Sequence, residues 1–169
     1  GLIPFRDKYP ERFVECGIAE QDMVSQAGGM ALKGLLPIVH SFSCFLSARP
    51  NEQIYNNATE ETHIVYVGSL AGVVPAGPGH SHQAVRDIAA MKGSHNMVMI
   101  EPSCEAEVAM ALDYCLNQHK RAAYLRLCSV PWVVPFALPE NYKMKKGCGV
   151  ALTDGSDVVI FAYGMIMLS

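Results

Sequence analysis

Charge is scarce in this chain. Only 17 % of its 169 residues are Asp, Glu, Lys or Arg, and the net charge is −3. That gives no electrostatic case for nucleic acid or an anionic membrane surface as partner. No apolar run reaches the ~18 residues of a membrane-spanning helix, and no signal-peptide pattern is visible. The expectation is a cytoplasmic protein. The six cysteines (Cys16, Cys44, Cys104, Cys115, Cys128 and Cys148) form no C-x-x-C pair and no zinc spacing. They read as reduced thiols, most of them in apolar surroundings. The six histidines show no H-E-x-x-H or similar ligand pattern. No Gly-x-Gly-x-x-Gly follows a strand, which argues against a nucleotide-binding flavodoxin-like domain. There is no internal repeat and no low-complexity segment.

What the chain has is apolar residues, half of the total, enough for a substantial core. The length fits one domain, or one domain plus a fragment. Short β-branched runs alternate with longer helical segments. Strands are expected at 12–16, 36–41, 63–68, 97–100 and 122–127. Helices are expected at 19–33, at 43–57 with an interruption at Pro50, at 82–92 and at 104–119. In the first of these, Met23, Val24, Ala27, Met30 and Ala31 recur at helical spacing and give one apolar face. Ser103 is a plausible N-cap, with Ala106 at the third helical position and so no capping box. The fold class that follows is α/β, a doubly wound, mostly parallel sheet with helices on both faces.

Three motifs stand out. Gly17-Ile18-Ala19-Glu20-Gln21 puts a carboxylate where an apolar run gives way to a helix. Alone, Glu20 could be ordinary helix-start electrostatics. Pro37 to Phe45 carries Phe42 and Phe45 three apart just after a strand, which alone suits core packing. Gly77-Pro78-Gly79-His80-Ser81-His82-Gln83 is a glycine- and proline-rich loop leading into a helix, and it brings backbone close to whatever binds there. Downstream come Asp87-Ile88-Ala89, Asn96-Met97 and the turn Glu101-Pro102-Ser103. In order and spacing, from about Phe13 to Cys128, these resemble the pyrimidine-binding domain of the transketolase family of thiamine-diphosphate enzymes.

The resemblance implies roles. Glu20 would be both catalytic and cofactor-binding, the acid hydrogen-bonded to N1′ of the cofactor's aminopyrimidine, where a carboxyl group can share a proton with a ring nitrogen. Phe42 and Phe45 would line the pyrimidine pocket, where offset stacking contributes about 0.5–1.5 kcal/mol. His82 would be the second catalytic residue, facing substrate oxygens, since imidazole can donate to them and relay a proton near neutral pH. His80 is a neighbour without a clear counterpart. No residue here is assigned to metal. The family's diphosphate and Mg²⁺ site is a Gly-Asp-Gly…Asn motif on another domain, and no Gly-Asp-Gly occurs in this chain. Sugar transketolases often carry an Asp immediately before Gly-Pro. Ala76 stands there instead, and one extra residue separates Gly-Pro from His82.

The expected organisation is a pyrimidine-binding domain over 1–128 with its first strand missing, a proline-rich linker over 129–146, and a truncated C-terminal domain opening at 147–169. Gly147–Leu152 and Val158–Ala162 flank Asp154-Gly155-Ser156, a hairpin signal. The chain thus resembles a fragment of a larger enzyme, inactive alone. It needs a diphosphate-binding domain or subunit as partner, takes a small-molecule substrate, and associates as a dimer or other homo-oligomer. The implied activity is transfer of a two-carbon ketol unit in carbohydrate metabolism. A deoxyxylulose-phosphate synthase, a beta-type subunit of a 2-oxoacid dehydrogenase, and a non-catalytic assembly module are the alternatives.

Overall fold

Neighbouring residues of a strand point to opposite sides of a sheet, and the central strand shows both sides of this molecule. The computed structural model describes residues 2–74, 77–131 and 133–164. In β2 (Val65–Ser69) every residue is buried. Tyr66 faces one core with Val24, Ala27, Val39, Leu46, Ile54 and Tyr124. Val65 and Val67 face another with Ala111, Cys115, Ala123 and Leu125. A strand covered on both faces needs apolar residues at consecutive positions, as parallel strands between helical layers do.

The sheet has four strands in the order β1 (Ile38–Phe42), β2, β4 (Ala123–Arg126), β3 (Val98–Ile100). Every pairing is parallel. The helices are α1 (Ile3–Lys8), α2 (Glu20–Leu32), α3 (Ser43–Ala48), α4 (Asn51–Thr59), α5 (Asp87–Lys92) and α6 (Glu105–Asp113). Residues from α2 to α5 pack on the Tyr66 face. The other face is covered by α6 and the π-helical turn Tyr114–Gln118 that extends it. The expected doubly wound α/β architecture is the one observed. Among the described residues, no helix is long and apolar enough to cross a membrane.

Helix α2 ends on a pair of hydrogen bonds that satisfy its last carbonyls. Gly34, at φ +85°, donates to the Ala31 carbonyl and Leu35 to that of Met30, which is the Schellman pattern that favours glycine at the left-handed position. Proline at position 50 separates α3 from α4 as expected, because its nitrogen has no proton to continue the ladder.

Four expectations about secondary structure change. The run 12–16 joins no sheet. Pro10–Arg12 is a 3-10 turn, and the Gly17 amide donates to Glu15 Oε1 at 2.9 Å, so local bonds replace a ladder. The helix expected from 82 begins only at Asp87, because the Ala84 amide is committed to the Gly72 carbonyl and its carbonyl to Arg126. Cys104, not Ser103, precedes α6. That shift puts Glu107 at the third helical position, where it accepts from the amide and hydroxyl of Ser103, the residue before the N-cap, at 2.9 and 2.7 Å. The hairpin at 147–152 and 158–162 does not form among the described residues. A lone two-stranded hairpin is marginal in water, and the run is not packed on this domain either. Ile160 and Phe161 are 84 % and 93 % exposed. Gly1, Pro75, Ala76, Trp132 and 165–169 lie outside the described residues, and with them the Ala76 position and the last part of the tail.

Candidate functional site

The carboxyl edge of the sheet gathers three of the sequence motifs. Phe42 closes β1 and leads into α3, which carries Phe45. The loop after β2 carries His82. Glu20 opens α2 beside them. In open parallel sheets this edge is where ligands bind.

Glu20 is 6 % exposed, unusual for a carboxylate at a helix start. It is not left unpaired. Arg49 Nη1 donates to both of its oxygens, at 2.9 and 2.8 Å, and the Ser41 hydroxyl donates to Oε1 at 3.3 Å. Burial pushes the Glu20 carboxyl up. The Arg49 hydrogen bond, the helix-start amide, the Arg49 charge and Ser41 together outweigh it, and the pKa lies below the ordinary carboxylate value. Beside this pair lies an open depression of about 400 Å³, lined by Ile18, Ala19, Glu20, Gln21, Asp22 and Arg49.

The aromatic groups form one cluster. The rings of Phe42 and Phe45 are 6.1 Å apart. The His82 imidazole meets both edge-on, at 6.0 and 5.1 Å between centroids. Phe42 stays 39 % exposed, so part of its ring faces solvent. The Arg49 guanidinium lies 4.0 Å from the centre of the Phe45 ring, a cation–π contact. Arg49 thus joins the carboxylate to the aromatic cluster. Nδ1 of His82 pairs with the Ser81 hydroxyl at 2.9 Å, which leaves Nε2 without a protein partner among the described residues. His80 is exposed and joins none of these contacts.

Of the residues singled out in the sequence, Phe42, Phe45 and His82 meet one another, and Glu20 joins them through Arg49. The sequence reading did not name Arg49 or Ser41. Ser41 flanks Phe42 on β1, and alternation alone places it on a different side of the strand from its neighbour. Arg49 sits one helical turn after Phe45, at i+4, the spacing at which helical side chains meet. Beneath the cluster, Arg126 at the end of β4 binds Asp87 (Nε to Oδ2, 2.7 Å) and pairs with Glu101 at 2.6 Å. Asp87 is 1 % exposed and also accepts from the Tyr124 hydroxyl at 2.9 Å. Burial, then the neighbouring Asp87 charge, drive the Tyr124 phenol well above its usual range.

The residues present suit a flat heteroaromatic ring with a hydrogen-bonding nitrogen. They offer a buried carboxylate, a partly open aromatic platform and an imidazole edge. Among the described residues, no group of three or more His, Cys, Asp or Glu could hold a metal ion.

Comparison with known proteins shows the family. The transketolase pyrimidine-binding domain matches residues 3–129. A transketolase family protein of Sinorhizobium fredii is 34 % identical over 168 residues, 99 % of this chain and 48 % of that protein. A 1-deoxy-D-xylulose-5-phosphate synthase of Prochlorococcus marinus is 33 % identical over 168 residues, 99 % of this chain and 26 % of that enzyme. The chain therefore spans less than half the length of these relatives. Among solved structures, a split-gene transketolase described as an inactive beta4 tetramer superposes with a TM-score of 0.81. It is 28 % identical, and the match covers 97 % of this chain and 52 % of that one. Transketolase from Campylobacter jejuni, at 19 % identity and a TM-score of 0.61 over 66 % of this chain and 18 % of its own, shares the fold.

Proposed function

This chain belongs to the transketolase pyrimidine-binding domain family, and from that premise we propose that it supplies the pyrimidine half of a thiamine-diphosphate site in a larger transferase. The convergence of Glu20, Phe42, Phe45 and His82 at one sheet edge is the observation that carries this reading. Thiamine diphosphate, when bound, supplies the nucleophilic carbon for cleaving and forming a bond next to a carbonyl. Its diphosphate and Mg²⁺ belong to a separate diphosphate-binding domain or subunit. The split-gene organisation named for the 28 %-identical structure supports a partner on another polypeptide.

In this reading Glu20 holds and shares a proton with the pyrimidine nitrogen through one carboxylate oxygen. Arg49 now donates to both oxygens and lowers the pKa of the carboxyl, so loosening one of those bonds favours the form that carries a proton. The Arg49 side chain is 43 % exposed and its long stem leaves room for that. Phe42 and Phe45 hold the ring plane and keep water from it. Nε2 of His82 orients the substrate's oxygens and moves a proton to or from them. The substrate is a small ketose or a related ketol donor, transferred as a two-carbon unit. The deoxyxylulose-phosphate synthase relatives favour a second reading, in which the chain is part of such a synthase. In this reading residues 1–128 are the pyrimidine-binding domain, 129–146 a linker and 147–169 the start of a C-terminal domain; the family match over 3–129 supports the first of these.

The test is hydrogen–deuterium exchange at C2 of bound thiamine diphosphate, in the enzyme reassembled with its diphosphate-binding partner. Glu20→Gln should slow it by about 100-fold or more, the scale of general acid–base catalysis. Near-native exchange in that variant rejects the role of Glu20.

A further inference from the structure

The function so far leaves one buried cluster without a task. Arg126, Asp87, Glu101 and Tyr124 lie below the site, and none of them reaches the depression beside Glu20. Their geometry points elsewhere. The Arg126 guanidinium has donors on three sides, and each meets a different segment. Nε donates to Asp87 Oδ2 at 2.7 Å, Nη2 to the Ala84 carbonyl at 3.2 Å, and Nη1 lies 2.6 Å from Glu101 Oε2. Ala84 stands two residues after His82. Its amide in turn donates to the Gly72 carbonyl at 2.9 Å, while the Ala71 amide donates to Leu127. The loop carrying His82 is thus tied to the end of β4 through one side chain and two backbone bonds.

We propose that Arg126 is the positioning residue of the His82 loop, holding the Ala84 carbonyl and the Asp87 carboxylate so that the imidazole meets the Phe42–Phe45 pair. This rests on the reading of His82 given above. The loop between Gly77 and Arg86 has no regular secondary structure, and its segment from Gly77 to Ser81 is largely exposed. Its own short-range bonds, His82 to Gly79 and Gln83 to His80, fix a turn but not its distance from β1. A planar fork is suited to that second task because it binds several acceptors in one fixed geometry. Glu101 completes the grip from the loop after β3. Gly164 packs on the Glu101 side chain at φ +62°, where a Cβ would clash with it, so the described end of the chain closes over the same carboxylate.

Arg126→Lys tests this in the 169-residue chain. It keeps a positive charge beside Asp87, so the carboxylate is not left alone, but a single ammonium cannot replace the three-sided fork. Hydrogen exchange read by mass spectrometry compares residues 79–86 with 64–69 on β2. The expected result is exchange about tenfold faster in 79–86, with 64–69 unchanged, which is local opening rather than loss of the fold. Asp87→Asn, which keeps the shape of the acceptor without its charge, should give the same local pattern. Unchanged exchange in 79–86 in both variants, or equal acceleration in loop and strand, overturns the proposal. Turnover by the assembled holoenzyme separates the two readings. A loosened loop with wild-type turnover leaves Arg126 as the positioning residue and removes His82 from the reaction.

Discussion

Glu20 shows how one residue can be read in two ways until its partners are known. A carboxylate at the first position of a helix is favoured by the helix dipole wherever it points. Here it points inward, and Arg49 and Ser41 hold it charged. Its folded pKa lies below the ordinary 4.5. The pair therefore contributes stability that is full above about pH 4.5 and lost as pH falls through the lower folded value. Glu20→Gln should cost stability at neutral pH, and that deficit should shrink in acid, as pH falls through the lowered folded value. Urea midpoints of both proteins at neutral and acid pH measure it, and a deficit independent of pH would refute the ion pair.

At the scale of elements, the strands are held at close quarters by what they lack. Gly68 on β2 lies against Ser43 at the start of α3 and against the Tyr124 ring on β4. A Cβ there would sit 2.5 Å from the serine Oγ and 2.7 Å from the tyrosine Oη. Both neighbours are fully buried and have nowhere to move. Gly68→Ala should destabilise the chain by about 1–3 kcal/mol, the cost of overpacking. A urea titration gives the value, and a change under about 0.5 kcal/mol would mean that α3 can slide off the sheet. The same tightness sets where Phe42 and Phe45 stand, since α3 begins directly at the end of β1. The loop after β2 is the opposite case. Its backbone bonds go to Gly72, to Arg126 and to its own turns, so the helix that periodicity suggested from 82 starts five residues later.

Several large apolar side chains are exposed among the described residues. Ile18 beside the depression is 90 % exposed, and Leu32, Leu35 and Ile38 at the end of α2 and the β1 edge are also open. Large exposed apolar patches tend to associate. The chain at tens of micromolar is expected to scatter light as a dimer or larger, and a strictly monomeric species would contradict this. The proposed function has its own consequence. If the diphosphate and metal contacts lie on another domain, calorimetric titration of the chain alone with thiamine diphosphate and Mg²⁺ should show nothing tighter than high micromolar. A submicromolar constant, ~8 kcal/mol or more, would place the diphosphate site on this chain.

The sequence alone determined the order of strands and helices from β1 to β4, because a strand buried on both faces and a one-faced helix leave different apolar periods. Its resemblance to the transketolase pyrimidine-binding domain singled out Glu20, Phe42, Phe45 and His82 as candidate site residues, because their short motifs occur in the family's order and spacing. The sequence misled at 12–16, 82–86 and the hairpin after 147, where local pattern and real partners disagree. Glu15 turns back on Gly17, Ala84 is committed to β4 and the loop, and Val158 to Phe161 have no sheet to join. Only the tertiary structure decided that Arg49 holds Glu20 from 29 residues away and that Arg126 reaches Asp87 from 39. Such pairs leave no periodic trace. A buried charge is tolerated where an opposite charge and hydrogen bonds meet it, and which residues meet is settled by the crossing of strands and helices rather than by any stretch of the chain.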